Sequence, residues 1–289
     1  SWSACVSFAA NPLKNLRTEL SFIHTESYTV SDMMGSALAS TWSNTPNVNS
    51  PNEHRLMKSA YAIPDKLTAS VTYSKDWNRP AIGSTEVGLF YVGQTAGTYS
   101  YLYTNDMNGD GVNNDLIYIP ANRDELLFAD INETDANGNK TTVYTAQEQS
   151  DWFWAFVMTD RYLSKHRGDY AGANEARMPW LNRFDLHLSQ QFLLAGLIHG
   201  SKASHEHKES LTLSVDILNA ANLICDKWGV AQVTSSCNNG RILSCIGTLE
   251  GEPVYQFATN GDHLINRIFE PQKTMSNCWY LQFGLKLGF

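Results

Sequence analysis

The last eleven residues constrain this chain more than any other stretch. From Trp279 it reads Trp-Tyr-Leu-Gln-Phe-Gly-Leu-Lys-Leu-Gly-Phe. Side chains alternate between the two faces of a β-strand. Trp279, Leu281, Phe283, Leu285, Leu287 and Phe289 therefore share one face, and Tyr280, Gln282, Gly284, Lys286 and Gly288 share the other. The first face is wholly apolar; the second is polar or small.

Six more segments alternate in the same way. Leu67, Ala69, Val71 and Tyr73 alternate with Thr68, Ser70, Thr72 and Ser74. Phe184, Leu186 and Leu188 alternate with Asp185, His187 and Ser189, and Phe192 rejoins the apolar face. Leu211, Leu213, Val215 and Ile217 alternate with Thr212, Ser214 and Asp216. Leu16, Leu20 and Phe22 alternate with Arg17, Glu19 and Ser21. Val87, Leu89 and Tyr91 alternate more loosely, because Phe90 and Val92 share the other face. The pattern is weakest in Ser3–Ala9. The expectation is an all-β chain of about seven strands, each near the length of a tilted membrane strand.

The connections separate a membrane sheet from a soluble sandwich. Three are short or moderate: Asn11–Asn15, Trp77–Thr85 with Pro80, and the polar Ala195–Lys208. The other three run about Ser31–Pro64, Tyr99–Leu181 and Leu223–Asn277. A sandwich keeps its loops short at both ends, whereas outer-membrane barrels pair short periplasmic turns with long extracellular loops. The final strand then runs from outside to periplasm, leaving the C-terminus periplasmic. Bacterial barrels have an even strand number, and open sheet edges are prohibitive in lipid. Seven strands therefore imply a missed strand or further strands upstream, and the expectation is a fragment of a larger transmembrane antiparallel β-barrel.

Composition fits that expectation. The 289 residues carry a net charge of −8, which argues against nucleic acid as the main partner. No run of about 18 apolar residues could form a membrane-spanning helix, and mean hydropathy is −0.31. Thirteen tyrosines, 12 phenylalanines and 8 tryptophans suit the aromatic girdles of a barrel and equally an aromatic-rich soluble β protein. Ser1-Trp2-Ser3-Ala4-Cys5 lacks a basic region followed by an apolar core, so no signal peptide is expected in this stretch. Of five cysteines, Cys225, Cys237 and Cys245 crowd one segment. Their spacing is not that of a zinc ribbon, but it admits a disulfide in an oxidising compartment.

One loop carries metal-ligand spacing. Asp106, Asn108 and Asp110 occupy alternate positions and Gly111 follows, as in the first half of an EF-hand calcium loop. Val112 would offer its carbonyl at position seven and Asn114 its side chain at nine. Ile117 stands where the bidentate Glu belongs, leaving Asp115 to substitute from a shorter loop. The competing reading is an Asn/Asp/Gly turn without metal. Asp124, Asp130, Glu133 and Asp135 read as a solvated acidic loop. Trp152, Phe153, Trp154 and Phe156 read as core for the same long loop rather than as a substrate patch. Arg167-Gly168-Asp169 is too short to carry adhesion, and His205 with His207 reads as a polar turn before a metal site. No nucleophile elbow or His-Glu-x-x-His pattern occurs, so no enzyme is expected.

Longer motifs carry a family resemblance. The chain reads Asp106-Met-Asn-Gly-Asp-Gly-Val-Asn-Asn-Asp-Leu-Ile-Tyr-Ile-Pro, then Tyr162-Leu-Ser-Lys-His-Arg-Gly-Asp-Tyr-Ala, Arg177-Met-Pro-Trp-Leu-Asn-Arg-Phe-Asp-Leu and Val215-Asp-Ile-Leu-Asn-Ala-Ala-Asn-Leu. In this order, from about Leu16 to Phe289, they resemble the last third of TonB-dependent receptors of Bacteroidota, in particular the Oar-like group. The end of the chain also resembles the C-terminal barrel-assembly signal, which the likeness lays on Trp279, Phe283 and Phe289. The resemblance implies a barrel of about 22 strands, plugged by an N-terminal domain, that imports a siderophore, glycan or peptide with energy from TonB. Residues 1–289 would be the C-terminal part of that barrel domain, with the plug domain absent. Implied partners are outer-membrane lipid, the upstream barrel and plug of the same parent protein, TonB acting through that plug, the barrel assembly machinery and a surface lipoprotein. The alternative is a small outer-membrane barrel that acts in surface binding or adhesion.

Overall fold

Each of the seven alternating segments is a strand. In the computed structural model, which describes residues 1–53, 55–79, 81–194 and 209–289, they are β1 (Trp2–Leu13), β2 (Leu16–Glu26), β3 (Asp65–Asp76), β4 (Ile82–Thr95), β5 (Trp180–Leu193), β6 (Ser210–Leu218) and β7 (Tyr280–Gly288). They pair in chain order as one antiparallel sheet with β1 and β7 at its edges. The chain is all-β in class, with few and mostly short helices. Among the described residues no helix is long and apolar enough to cross a membrane, which does not bear on crossing by strands.

The strands outrun their sequence limits. The weak Ser3–Ala9 pattern grows to twelve residues, because a regular ladder with β2 fixes it from Trp2↔Glu26 to Ala10↔Thr18. The turn expected at Asn11–Asn15 shrinks to Lys14 and Asn15, where Asn15 takes φ 70°, a left-handed conformation that Asn tolerates. The expected turn Ala195–Lys208, with His205 and His207, lies outside the described residues, as does Pro80 in the turn Trp77–Thr85.

Register joins the seven patterns into one surface. Val6↔Phe22, Phe22↔Leu67, Val71↔Leu89, Leu89↔Leu186, Leu186↔Ile217 and Ile217↔Leu281 are direct cross-strand partners. A one-residue slip at any ladder would turn that strand's apolar set to the opposite face. Register shifts occur only beside turns, between Ala10 and Leu13 and between Gln190 and Phe192; elsewhere the ladders of the sheet hold, so a single apolar face runs from β1 to β7.

The buried core lies elsewhere. Every buried apolar side chain in the described residues belongs to a connection: Met57, Tyr99–Tyr103, Leu116–Ile119, Phe153–Leu163, Ala171–Ala176, and Cys237 to Ile265. These connections fold together at the end of the sheet opposite the β1–β2 turn. A mixed four-stranded sheet orders Leu127–Phe128, Glu252–Phe257, Arg241–Leu249 and Leu102–Tyr103. Beside it lies the helix Ala146–Thr159, whose Thr145 hydroxyl accepts from the Glu148 N–H while Glu148 accepts from the Thr145 N–H. That reciprocal capping box starts the helix that buries Phe153 and Phe156 against Phe257. Of the aromatic run, Phe153 and Phe156 are thus loop core, whereas Trp154 is half-buried and Trp152 is exposed with its indole N–H on the Ile265 carbonyl.

Candidate membrane interface and loop assembly

The apolar face of the sheet is exposed. Val6 is 73% exposed, Phe283 75% and Leu285 68%, and Leu20, Val71, Leu89, Leu188 and Leu213 are exposed on the same face. A soluble sandwich buries such a face against a second sheet. Here nothing in the described residues covers most of it, and contiguous apolar surface of this kind marks an interaction site. Ten residue steps from Trp279 to Phe289 at about 3.3 Å span about 33 Å. A tilt of about 40° reduces that to about 25 Å, the height of a barrel's apolar band.

Aromatic rings bound this face at both ends. At the loop end stand Trp2, Tyr91, Trp180 and Trp279; at the turn end stand Tyr73, Trp77 and Phe289. The polar atoms of Trp180, Tyr91 and Trp77 are engaged. The Trp180 indole N–H (3.1 Å) and the Tyr91 hydroxyl (2.7 Å) donate to Asn182 Oδ1. The Trp77 indole donates to Thr85 Oγ1 at 2.8 Å, with Lys75 Nζ 4.0 Å from its ring centroid. Rings with an apolar body and a satisfied polar tip suit the boundary between hydrocarbon and water. Phe283 and Phe289, singled out for the assembly signal, project from this face; Phe289 is almost fully exposed, and Trp279 immediately precedes β7.

The opposite face carries charge and hydroxyls. His187 Nδ1 lies 2.5 Å from Asp216 Oδ1, and Arg183 Nε lies 3.2 Å from Asp185 Oδ1. Ser21 donates to Ser7 at 2.9 Å. Two motifs quoted from the sequence meet at this face's loop end. The Asn219 N–H donates to Asp185 Oδ1 at 2.7 Å, and the Asn219 amide donates to the carbonyls of Gly229 and Asn277. Asn219 is buried at φ 53° and ties the end of β6 to both ends of the last loop.

The loop 106–115 is a closed hydrogen-bond network. Asp106 accepts from the N–H groups of Gly109, Asp110 and Gly111. Asp110 Oδ1 accepts from the Val112 N–H at 3.0 Å. Asp115 is fully buried; it accepts from the Met107 N–H at 2.7 Å and the Asn108 amide at 2.7 Å. Burial is the largest influence on Asp115 and pushes its carboxyl above the ordinary carboxylate range. The Met107 and Asn108 N–H groups oppose the shift, and Asp110 and Asp106 add to it. Asn114 departs from the expected ligand set. Its amide donates to the Thr45 carbonyl at 2.8 Å and its oxygen accepts from Asn47, so it anchors the 42–47 segment instead of facing the loop. Among the described residues no group of three or more His, Cys, Asp and Glu side chains is placed to hold a metal ion.

The three cysteines of the last loop form no disulfide. Cys237 is buried with its thiol on the Thr234 carbonyl, and burial pushes the thiol up to about 11. Sequence reading missed Asn174, which joins two of the long connections. Its amide donates to Asp32 Oδ2 (3.0 Å) and the Lys58 carbonyl (2.8 Å), and its N–H donates to Ser100 Oγ. A lone Asn in a polar stretch gives no signal of such a role. Gly240 was equally silent: a Cβ there would stand 2.2 Å from the Ser100 carbonyl oxygen.

The class these features define is an all-β chain with one exposed apolar face, two aromatic borders and a separately cored set of connections. Compared with protein families, with curated proteins and with solved structures, the chain matches none.

Proposed function

We propose that the chain is a wall segment of a transmembrane outer-membrane β-barrel and belongs to a TonB-dependent receptor that imports a large solute. The observation that carries the membrane reading is the inversion of burial. The sheet keeps its apolar face exposed between two aromatic borders, while the connections bury a core of their own. Lipid is the partner that covers such a face without a second sheet. The edges β1 and β7 have backbone groups left to pair, and lipid does not tolerate open edges. Further strands of the same parent protein would pair with them. The long connections then lie outside the cell and the C-terminus in the periplasm.

The receptor reading is supported by the four motifs and their order. The polar face would line the lumen beneath a plug, and solute would meet the loop assembly first. TonB, acting through the plug, supplies the energy; the assembly machinery reads Trp279, Phe283 and Phe289. A surface lipoprotein above the loops belongs to the same reading. So does calcium in the 106–115 loop, for which the spacing of Asp106, Asn108, Asp110 and Asp115 is the support, since among the described residues no three acidic side chains are grouped to hold an ion.

The test uses the full-length protein in its own cells. Single cysteines placed in the loop assembly at Glu133 and in the β1–β2 turn at Lys14 are labelled with a membrane-impermeant maleimide. Labelling of intact cells at position 133 and only of lysed cells at position 14 is expected; the reverse, or a soluble protein, overturns the membrane reading. Uptake of a ligand that persists without TonB would leave the wall intact and remove the transporter, favouring the surface-binding alternative.

A further inference from the structure

We propose that the outer wall across β3, β4 and β5 holds one anionic lipid, its phosphate in a cleft at the loop end and an acyl chain in the groove below. The proposal rests on reading the apolar face as lipid-facing. The groove measures about 820 Å³ and is lined by Ala69, Val71, Leu89, Tyr91 and Phe184 from the sheet and by Trp228 from the last loop. It is the place where a connection folds down over the apolar face. Lys227 stands at its rim.

Directly above lies a cleft of about 680 Å³ whose lining includes Arg161, Lys165, His166 and Arg177. Trp180 borders both cavities. Asp65, another lining residue, pairs with His24 in the same alternation as Leu67 and Phe22, which sets the cleft on the lipid side of the wall.

Each acid of the cleft has its own hydrogen-bond partners within the protein, and of the three only Asp65 is ion-paired. Asp160 accepts from the Tyr162 and Leu163 N–H groups, at 2.9 and 2.7 Å. Glu175 accepts from the Tyr162 hydroxyl at 3.1 Å, and Asp65 takes Arg177 and His24, both at 2.7 Å. Arg161 and Lys165 are exposed and make no ion pair among the described residues. Two free cations therefore stand just above an apolar slot, at the level where an aromatic border meets headgroups. A polar solute would gain little from the slot, and a neutral lipid would gain little from the cations. An anionic lipid uses both.

The test places the full-length protein in nanodiscs of phosphatidylcholine containing brominated phosphatidylglycerol or, at equal mole fraction, brominated phosphatidylcholine. Bromine on the acyl chain quenches nearby indoles, and subtracting the Trp180→Phe variant isolates the signal at the shared wall. Each cation near a membrane surface favours an anionic lipid about fivefold, so for two cations the relative affinity for phosphatidylglycerol is expected to be about 25-fold. It should fall to near one in Arg161→Ser/Lys165→Ser, whose side chains have no partners to lose. Equal Trp180 quenching by the two lipids overturns the lipid site while leaving the membrane wall intact. No quenching by either overturns the wall itself. Loss of the preference on adding inorganic phosphate makes the cleft a free-anion site and overturns the lipid assignment.

Discussion

The sheet and the loop assembly obey opposite rules within one chain. The sheet exposes its leucines and phenylalanines and turns serine, threonine and charge to its other face. The loop assembly does what a soluble domain does, burying Phe153, Phe257, Ile117 and Leu163 and leaving its acids outside except Asp115 and Asp160, which are buried with hydrogen-bond partners. Hydrogen bonding differs in the same way. Between its edges the sheet pairs its backbone chiefly through strand ladders, whereas the loops rely on side chains such as Gln149, Asn174 and Asn219 that reach across to carbonyls. The same residue types thus face opposite ways in the two regions, and the location of the buried core separates them.

The sharpest test of that contrast is a core truncation against a wall substitution. Phe257→Ala should cost the loop assembly about 3–5 kcal/mol, read as lost amide-exchange protection in 241–265, with membrane insertion unchanged. If insertion failed as well, the two regions would be one folding unit. Next is a paired substitution in the wall. Leu89→Arg on the apolar face should cost about 2–4 kcal/mol in urea-dependent refolding into vesicles, while Ser70→Arg on the polar face should stay within about 0.5 kcal/mol. Equal costs would remove the distinction between the faces.

A smaller effect is expected at the cap of Ala146–Thr159. Thr145→Ala removes the acceptor of the Glu148 N–H and should cost about 1 kcal/mol, seen as fraying of the first helical turn. The smallest is local and depends on pH. The folded carboxyl of Asp115 lies above its unfolded value, so its contribution is fully present at pH below the unfolded value. It is lost as pH rises through the folded one. In chelator, exchange at the Met107 and Asn108 amides should therefore quicken over that rise by more than the intrinsic rate increase, and calcium should suppress the excess. Indifference to calcium at every pH would sink the metal reading of the loop.

Much of the sheet was legible because alternation is a local property with a period of two. Leu281 to Leu287 and Leu211 to Ile217 announce their faces without any partner. The loop assembly was legible only at Phe153 and Phe156, whose clustering points to a core; Asn174 and Gly240 act through contacts with Asp32, Lys58 and Ser100, distant in sequence. The calcium pattern shows the limit from the other side. Spacing placed Asn114 in the ligand set, and the fold turned it toward Asn47 because the segment 42–47 needed a partner for its carbonyls.

By itself the sequence determined that seven segments are strands with one apolar face each, and that the connections are short at one end and long at the other. Tertiary structure decided that the seven apolar faces coincide and stay exposed, and that the long connections share a core. The physical reason is that alternation records which side of a strand is greasy, whereas only register and packing decide what lies against that side. For this sheet, the described residues leave most of that side uncovered.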